Sequence, residues 1–172
     1  APGAVRIAGL RGRTAEDSTR RWPELRRFKV EARLSRALTH ADAVLVNAPH
    51  LIESEAVRLG ADAAKVHLIP NGVDIPDWQA DPVGDPPVGV VVANFHPYKG
   101  YDTLIDALAL MEVPLTVKFC GTGPQRGVIQ RLVSDRGVAD RVCFVDPPAD
   151  VPRELRSAQI GIHPSRTEGL SN

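Results

Sequence analysis

The chain has 172 residues, 43% of them hydrophobic, enough to bury one domain's core or parts of two. Lys plus Arg and Asp plus Glu each total 21, so bulk charge points to neither nucleic acid nor a membrane. No apolar window is long enough to span a bilayer, and the N-terminus lacks the charged-then-apolar layout of a signal peptide.

The charge is unevenly placed. Residues 1–40 hold ten Lys and Arg against four acids, a local excess of +6 that the remaining chain offsets. Such a basic arm suits phosphates or an anionic membrane surface, and equally a solvated helix face with its own salt bridges. Cys120 and Cys143 both sit in apolar, strand-like runs, so both are expected to be buried free thiols of a reduced, cytoplasmic protein. Neither their spacing nor any carboxylate pair at a strand end calls for a metal.

In chain order, Val5–Ala8 reads as a short strand leading into the loop Gly9–Gly12. Pro23 suits a first helical position, and Leu25, Phe28, Ala32 and Leu38 predict an amphipathic helix to about His40. Ala43–Asn47 is a buried strand, helical pattern runs from His50 to Gly60, and Val66–Ile69 is a strand closed by Pro70-Asn71-Gly72. From Asp74 to Pro87 the texture changes to prolines and aspartates around a lone Trp78, a linker composition. The predicted organisation is one domain over residues 1–75, a linker over 76–87 and a second domain over 88–172.

Beyond the linker, strand and helix alternate: Val88–Ala93, Asp102–Met111, Leu115–Cys120, Pro124–Arg136, Val142–Val145, Arg153–Ser157 and Gln159–His163. Strands apolar throughout, alternating with helices, predict an α/β fold with a parallel sheet covered on both faces. In such sheets ligands sit outside the carboxyl ends of the strands. The loops there are Asn94–Gly100, Gly121–Gln125, Asp146–Asp150 and Pro164–Asn172. The first ends in Lys99-Gly100 at a helix start, where free N–H groups, the helix dipole and a full positive charge together favour a phosphate. Gly121-Thr122-Gly123-Pro124 allows backbone to approach a ligand closely. Glu168 beside Gly169 offers a carboxylate to ligand hydroxyls, or simply a favourable acid at a helix start.

Four stretches, IPNGVD from Ile69, VANFHPYKGYDTLIDAL from Val92, FCGTGP from Phe119 and PSRTEGLSN from Pro164, follow one another in a distinctive order. In that order and approximate spacing they resemble the retaining glycosyltransferases of family 4, over roughly residues 43–172. The resemblance implies the GT-B architecture, two Rossmann-like domains with parallel sheets and helices on both faces, here truncated at both ends. It implies that the second domain binds a nucleotide-diphosphate sugar as donor substrate, with no cofactor and no metal. Lys99 matches the lysine that neutralises the diphosphate, followed as usual by Gly100, and Glu168 matches the first acid of the Glu-x7-Glu motif; these two are the catalytic candidates. Gly169, Leu170 and Ser171 match the segment whose backbone meets phosphate or sugar, and Val145 the loop that borders the nucleobase. Asn94, His96, Gly121 and Gly123 complete the expected donor contacts. The family's arginine before the lysine is absent, since those positions read Ala93-Asn94, and His96 is the nearest substitute. At Gly9–Gly12 the first domain offers Arg11 where many members carry a histidine.

The expected function is transfer of a sugar, with retention, to a glycan, lipid or small-molecule acceptor in polysaccharide or cell-envelope synthesis. Peripheral membrane contact through the basic arm is part of that expectation, and nucleic acid is not; this piece alone is expected to be inactive. A sugar-nucleotide epimerase of the same architecture and a non-catalytic nucleotide-binding module are the alternatives.

Overall fold

The computed structural model describes residues 4–11, 24–77, 79–146 and 150–170. Gly12, Pro23, Trp78 and Ser171, each given a role above, lie outside them. The chain forms two compact units, one drawn from Ala1–Ile75 and Thr167–Asn172, the other from Pro76–Arg166.

In the first unit β1 (Ile7–Leu10), β2 (Ala43–Val46) and β3 (Val66–Leu68) form a parallel sheet in that order. Leu10 lies opposite Val46, and Val44 opposite Val66. Parallel neighbours need crossovers. Helix α1 (Glu24–Thr39) lies between the first two strands, and a π-helical segment, Ile52–Val57, between the second and third. The stretch expected to be helical from His50 to Gly60 therefore exists in a wider form, with Ala61 N donating to Ala56 O at 2.9 Å. Val44 and Val46 point into a core shared with Leu10, Leu38, Leu51 and Leu59.

The second unit is a four-stranded parallel sheet in the order β6-β5-β4-β7. Its elements are β4 (Val88–Val92), α2 (Tyr101–Leu110), β5 (Thr116–Cys120), α3 (Arg126–Asp135), β6 (Val142–Val145), α4 (Val151–Arg156) and β7 (Ile160–Gly161). The near-continuous apolar character of β4 has a direct cause: Val91 packs with α2 and α3 residues Ile105, Leu108, Ile129 and Val133, while Val90 packs on the other face with Cys120 and Ala158. Lys118 interrupts β5 on that second face. Its ammonium is satisfied by Glu154 at 2.9 Å and Ser157 Oγ at 2.8 Å, both from the α4 region. The stretch read as a linker is tied to the same region, where Asp81 N donates to Arg156 O at 2.8 Å and Gln159 Nε2 to Asp81 O at 3.2 Å.

Three expectations change. The first strand, read over Val5–Ala8, lies at Ile7–Leu10, because its pairing with Ala43–Val46 takes in Gly9 and Leu10 of the expected loop. Cys143 is exposed, on β6 at one end of the strand order, where it has a neighbouring strand on one side. Cys120, central and buried, keeps the expected environment, and burial together with the Glu154 charge pushes its thiol up to about 11. The strand predicted over Gln159–His163 shortens to Ile160–Gly161, which pair with Gly89 and Val90. Among the described residues no helix is long and apolar enough to cross a membrane.

Candidate functional site

The carboxyl ends of β4 and β5 are joined by their loops. Ala93 N donates to Cys120 O (3.1 Å), Phe95 N to Thr122 O (2.7 Å) and Gln125 N to Phe95 O (3.1 Å). This closeness explains Gly123, where a Cβ would stand 2.6 Å from the Phe95 carbonyl oxygen. Phe95 is fully buried and meets the ring of Tyr101 edge-on at 5.1 Å and that of Phe144 at 6.0 Å. Tyr101 donates its hydroxyl to Ala93 O at 2.8 Å. Burial, with the Cys120 charge, raises the Tyr101 pKa, so the phenol stays neutral and keeps donating.

On this base stands the turn Pro97–Lys99, a single 3-10 turn with Lys99 N bonded to His96 O at 3.0 Å. Gly100 follows at φ 70°, the left-handed conformation that glycine adopts without steric cost, and from it α2 starts. The Lys99 ammonium lies 5.1 Å from the Tyr98 ring centroid, and His96 stacks on that ring at 5.7 Å. A cleft of about 460 Å³ opens here, lined by Asn94, Tyr98, Lys99, Gly121, Thr122 and Val151. Of the candidates after the linker, Asn94, Lys99 and Gly121 thus share one cleft and His96 adjoins it through Tyr98, while Gly100 packs against the Pro164 carbonyl and Gly123 against the Phe95 backbone. Val145 packs instead against the small core of Val90, Cys120 and Ala158. Among the described residues no three metal-ligating side chains cluster.

Two arginines in this unit escaped the sequence reading. Arg126, the first residue of α3, pairs with Asp146 at 2.6 Å and lies over the rings of Phe144 and Phe95. Arg166 binds the lysine turn: its N–H donates to Tyr98 O at 2.8 Å and its guanidinium to Pro97 O, Asp102 and Thr103. Nothing local in sequence signals either partner set, since Arg166 and its acceptors lie more than sixty residues apart.

Glu168, Gly169 and Leu170 belong to the first unit. Asn71, just after β3, donates to Leu170 O at 3.0 Å and weakly receives from Asn47 Nδ2 at 3.5 Å. Asn47 is buried at the end of β2, and its Oδ1, which has no hydrogen-bond partner among the described residues, would stand 2.9 Å from a Cβ on Gly169. The carbonyl of Arg11, at the end of β1, would also collide with such a Cβ. Only a glycine lets the chain lie this close. Arg11 contributes its backbone here, while the residue as a whole is exposed.

Residues 75–171 match the family described as glycosyl transferases group 1. The chain belongs to this family. Among relatives of this group 1 chain, a GDP-mannose-dependent alpha-(1-6)-phosphatidylinositol monomannoside mannosyltransferase of Mycolicibacterium smegmatis is 34% identical, over 79% of this chain and 40% of that protein. A D-inositol 3-phosphate glycosyltransferase of Jonesia denitrificans is 36% identical, over 64% of this chain and 32% of its own. The group 1 chain thus spans 40% or less of the length of these two relatives. Among solved structures, S. aureus TarM in complex with UDP aligns at a TM-score of 0.79 with 14% identity, covering 99% of this chain and 34% of that one. Anabaena HepE in complex with UDP-glucose aligns at 0.74 with 20% identity, covering 92% and 46%. At such identities the likeness is one of fold, and that fold is GT-B, an α/β architecture of parallel sheets with helices.

Proposed function

We propose that the parent of this chain is a retaining glycosyltransferase of family 4 that transfers a sugar from a nucleotide-diphosphate sugar to an acceptor hydroxyl. In this proposal residues 1–75 end the acceptor-side domain, 76–87 lead across, and the donor site lies in the part beyond. The observation that carries it is Lys99, set by a left-handed glycine at the start of α2 and lining the cleft at the strands' carboxyl ends. A leaving nucleoside diphosphate gains negative charge as the C1–O bond breaks. A fixed ammonium and helix N-terminal amides are the groups that lower that barrier. Glu168 is assigned to the donor sugar's hydroxyls on the family motif. The acceptor hydroxyl forms the new bond to C1 on the face the phosphate leaves, and its proton passes to a donor phosphate oxygen. The sugar cation of that transition state is the species glycosidases also stabilise, there with paired carboxylates.

Both curated relatives carry inositol in the names of their reactions, so inositol phosphate and a phosphatidylinositol glycan are the first acceptors to try. A cytoplasmic enzyme of cell-envelope glycan synthesis fits a lipid-borne acceptor, and helix α1 presents Phe28, 68% exposed, beside exposed Lys29, Arg33 and Arg36 to meet an anionic surface. Asn94, on the cleft where the family has arginine nearby, favours one other reading, a module that holds nucleotide without chemistry.

Calorimetric titration with GDP-mannose and UDP-glucose tests donor binding directly. The expected result is saturable binding of one of them, unaltered by EDTA and weakened about a hundredfold in Lys99→Ala. No binding of either, or binding indifferent to Lys99→Ala, sinks the donor assignment. Donor binding by the intact parent with no transfer or hydrolysis over an acceptor panel selects the module.

A further inference from the structure

We propose that Arg166 is the positioning residue for Lys99, fixing where the ammonium stands without touching the donor; this deepens the donor-site proposal and rests on it. Its acceptors bracket the lysine on both sides. Its backbone N–H holds Tyr98 O at 2.8 Å and Nη1 holds Pro97 O at 2.9 Å, the two residues before Lys99. Nη2 holds Asp102 Oδ2 at 2.7 Å and Thr103 Oγ1 at 3.0 Å, in the first turn of α2 just after it. The same strand of loop closes the gap between these two sets, since the Pro164 carbonyl lies against the Cα of Gly100.

The 3-10 turn and the helix are therefore joined through one guanidinium across a left-handed residue, where the backbone could otherwise pivot. Arginine suits the task because its planar fork offers several donors at fixed angles, whereas an ammonium is a point charge on a flexible stem. The pair with Asp102 is well exposed, 38% and 53% for the two side chains, so it contributes little to folding. Geometry is what it supplies. A lysine free to swing meets a diphosphate in many arrangements, and small misplacements of a group acting on a leaving group cost far more rate than stability.

The test compares the wild-type chain with Arg166→Ala and Arg166→Lys by three measurements: amide exchange without ligand, calorimetric binding of GDP and UDP, and thermal melting. Removal of the guanidinium is expected to speed exchange in peptides covering residues 97–103 while those covering β5 keep their protection. It is expected to weaken nucleotide binding about tenfold, with Arg166→Lys recovering part of the loss and melting little changed in all three. Unchanged exchange at 97–103 in Arg166→Ala overturns the proposal whether or not nucleotide binds. So does a loss of protection and melting temperature throughout the unit, which marks a merely structural staple. Absence of nucleotide binding in the wild type, with the local exchange effect present, instead refutes the donor site and leaves the support of the turn standing.

Discussion

Pro97–Gly100 and Glu168–Leu170 are two short segments with much in common. Each brings an ionisable side chain beside a glycine, and each glycine is pressed against a carbonyl, Pro164 for Gly100 and Arg11 for Gly169. What holds them differs. The lysine turn is clamped by a charged guanidinium and a left-handed backbone, both supplied by its own unit. The glutamate segment rests on neutral groups at the strand ends of the other unit: the Asn71 amide, the buried Asn47 and the Arg11 backbone. A turn that presents a cation is steadied by acceptors on both sides of it, whereas a segment that presents an acid is steadied by amides and close packing.

The largest expected effect breaks both glycines. Gly100→Ala places a Cβ in the left-handed region, about 1–2 kcal/mol, and drives it into the Pro164 carbonyl, adding about 1–3 kcal/mol of overpacking. Gly169→Ala meets only the second kind of cost, against Arg11 and Asn47. Urea unfolding followed in each unit should show the larger loss, about 3 kcal/mol, for Gly100→Ala. Equal losses would mean that the left-handed turn is not what distinguishes the two segments.

How legible this was in the sequence depends on distance along the chain. The parallel sheet was readable because β4 is apolar on both faces and strands alternate with helices, and Lys99-Gly100 because strand, loop and helix are contiguous. The exposure of Cys143 was not, since it follows from the strand order, which places β6 at an edge. Lys118 looks like a flaw in a buried strand until Glu154, on a later helix, supplies its partner. In sequence Asn47 merely closes a strand, and Asn71 and Arg166 are ordinary loop residues. They acquire roles from neighbours that only folding brings together, at separations of 24 to 99 residues. Gly123 was read as a place for a ligand, and its closest neighbour is the Phe95 backbone.

A double mutant sharpens the comparison at intermediate size. Asn71→Ala removes the bond to Leu170 O and should cost the first unit about 1 kcal/mol. If the two segments have separate supports, Asn71→Ala and Arg166→Ala add to within about 0.5 kcal/mol in unfolding free energy. A coupling well above that would show one shared support and would remove the contrast drawn here.

The smallest effect is in the response to acid. Partial burial pushes the Asp102 carboxyl up, but the Arg166 hydrogen bond, the Thr103 N–H and the Arg166 charge outweigh it, so the group lies below its ordinary 3.8. A carboxylate depressed in the folded state stabilises above its unfolded pKa, and that contribution disappears as pH falls through the lower folded value. The difference in urea midpoint between wild type and Arg166→Ala should therefore hold steady from neutral pH to about pH 5 and narrow below 3.8. Because the pair is exposed, the whole change is at most about 1 kcal/mol. The bond from Asn71 to Leu170 O joins two neutral groups, so the corresponding difference for Asn71→Ala should move less over the same range. A matching acid response in both would mean that the clamp on the lysine turn owes nothing to charge, and that Arg166 acts through its hydrogen-bond geometry alone.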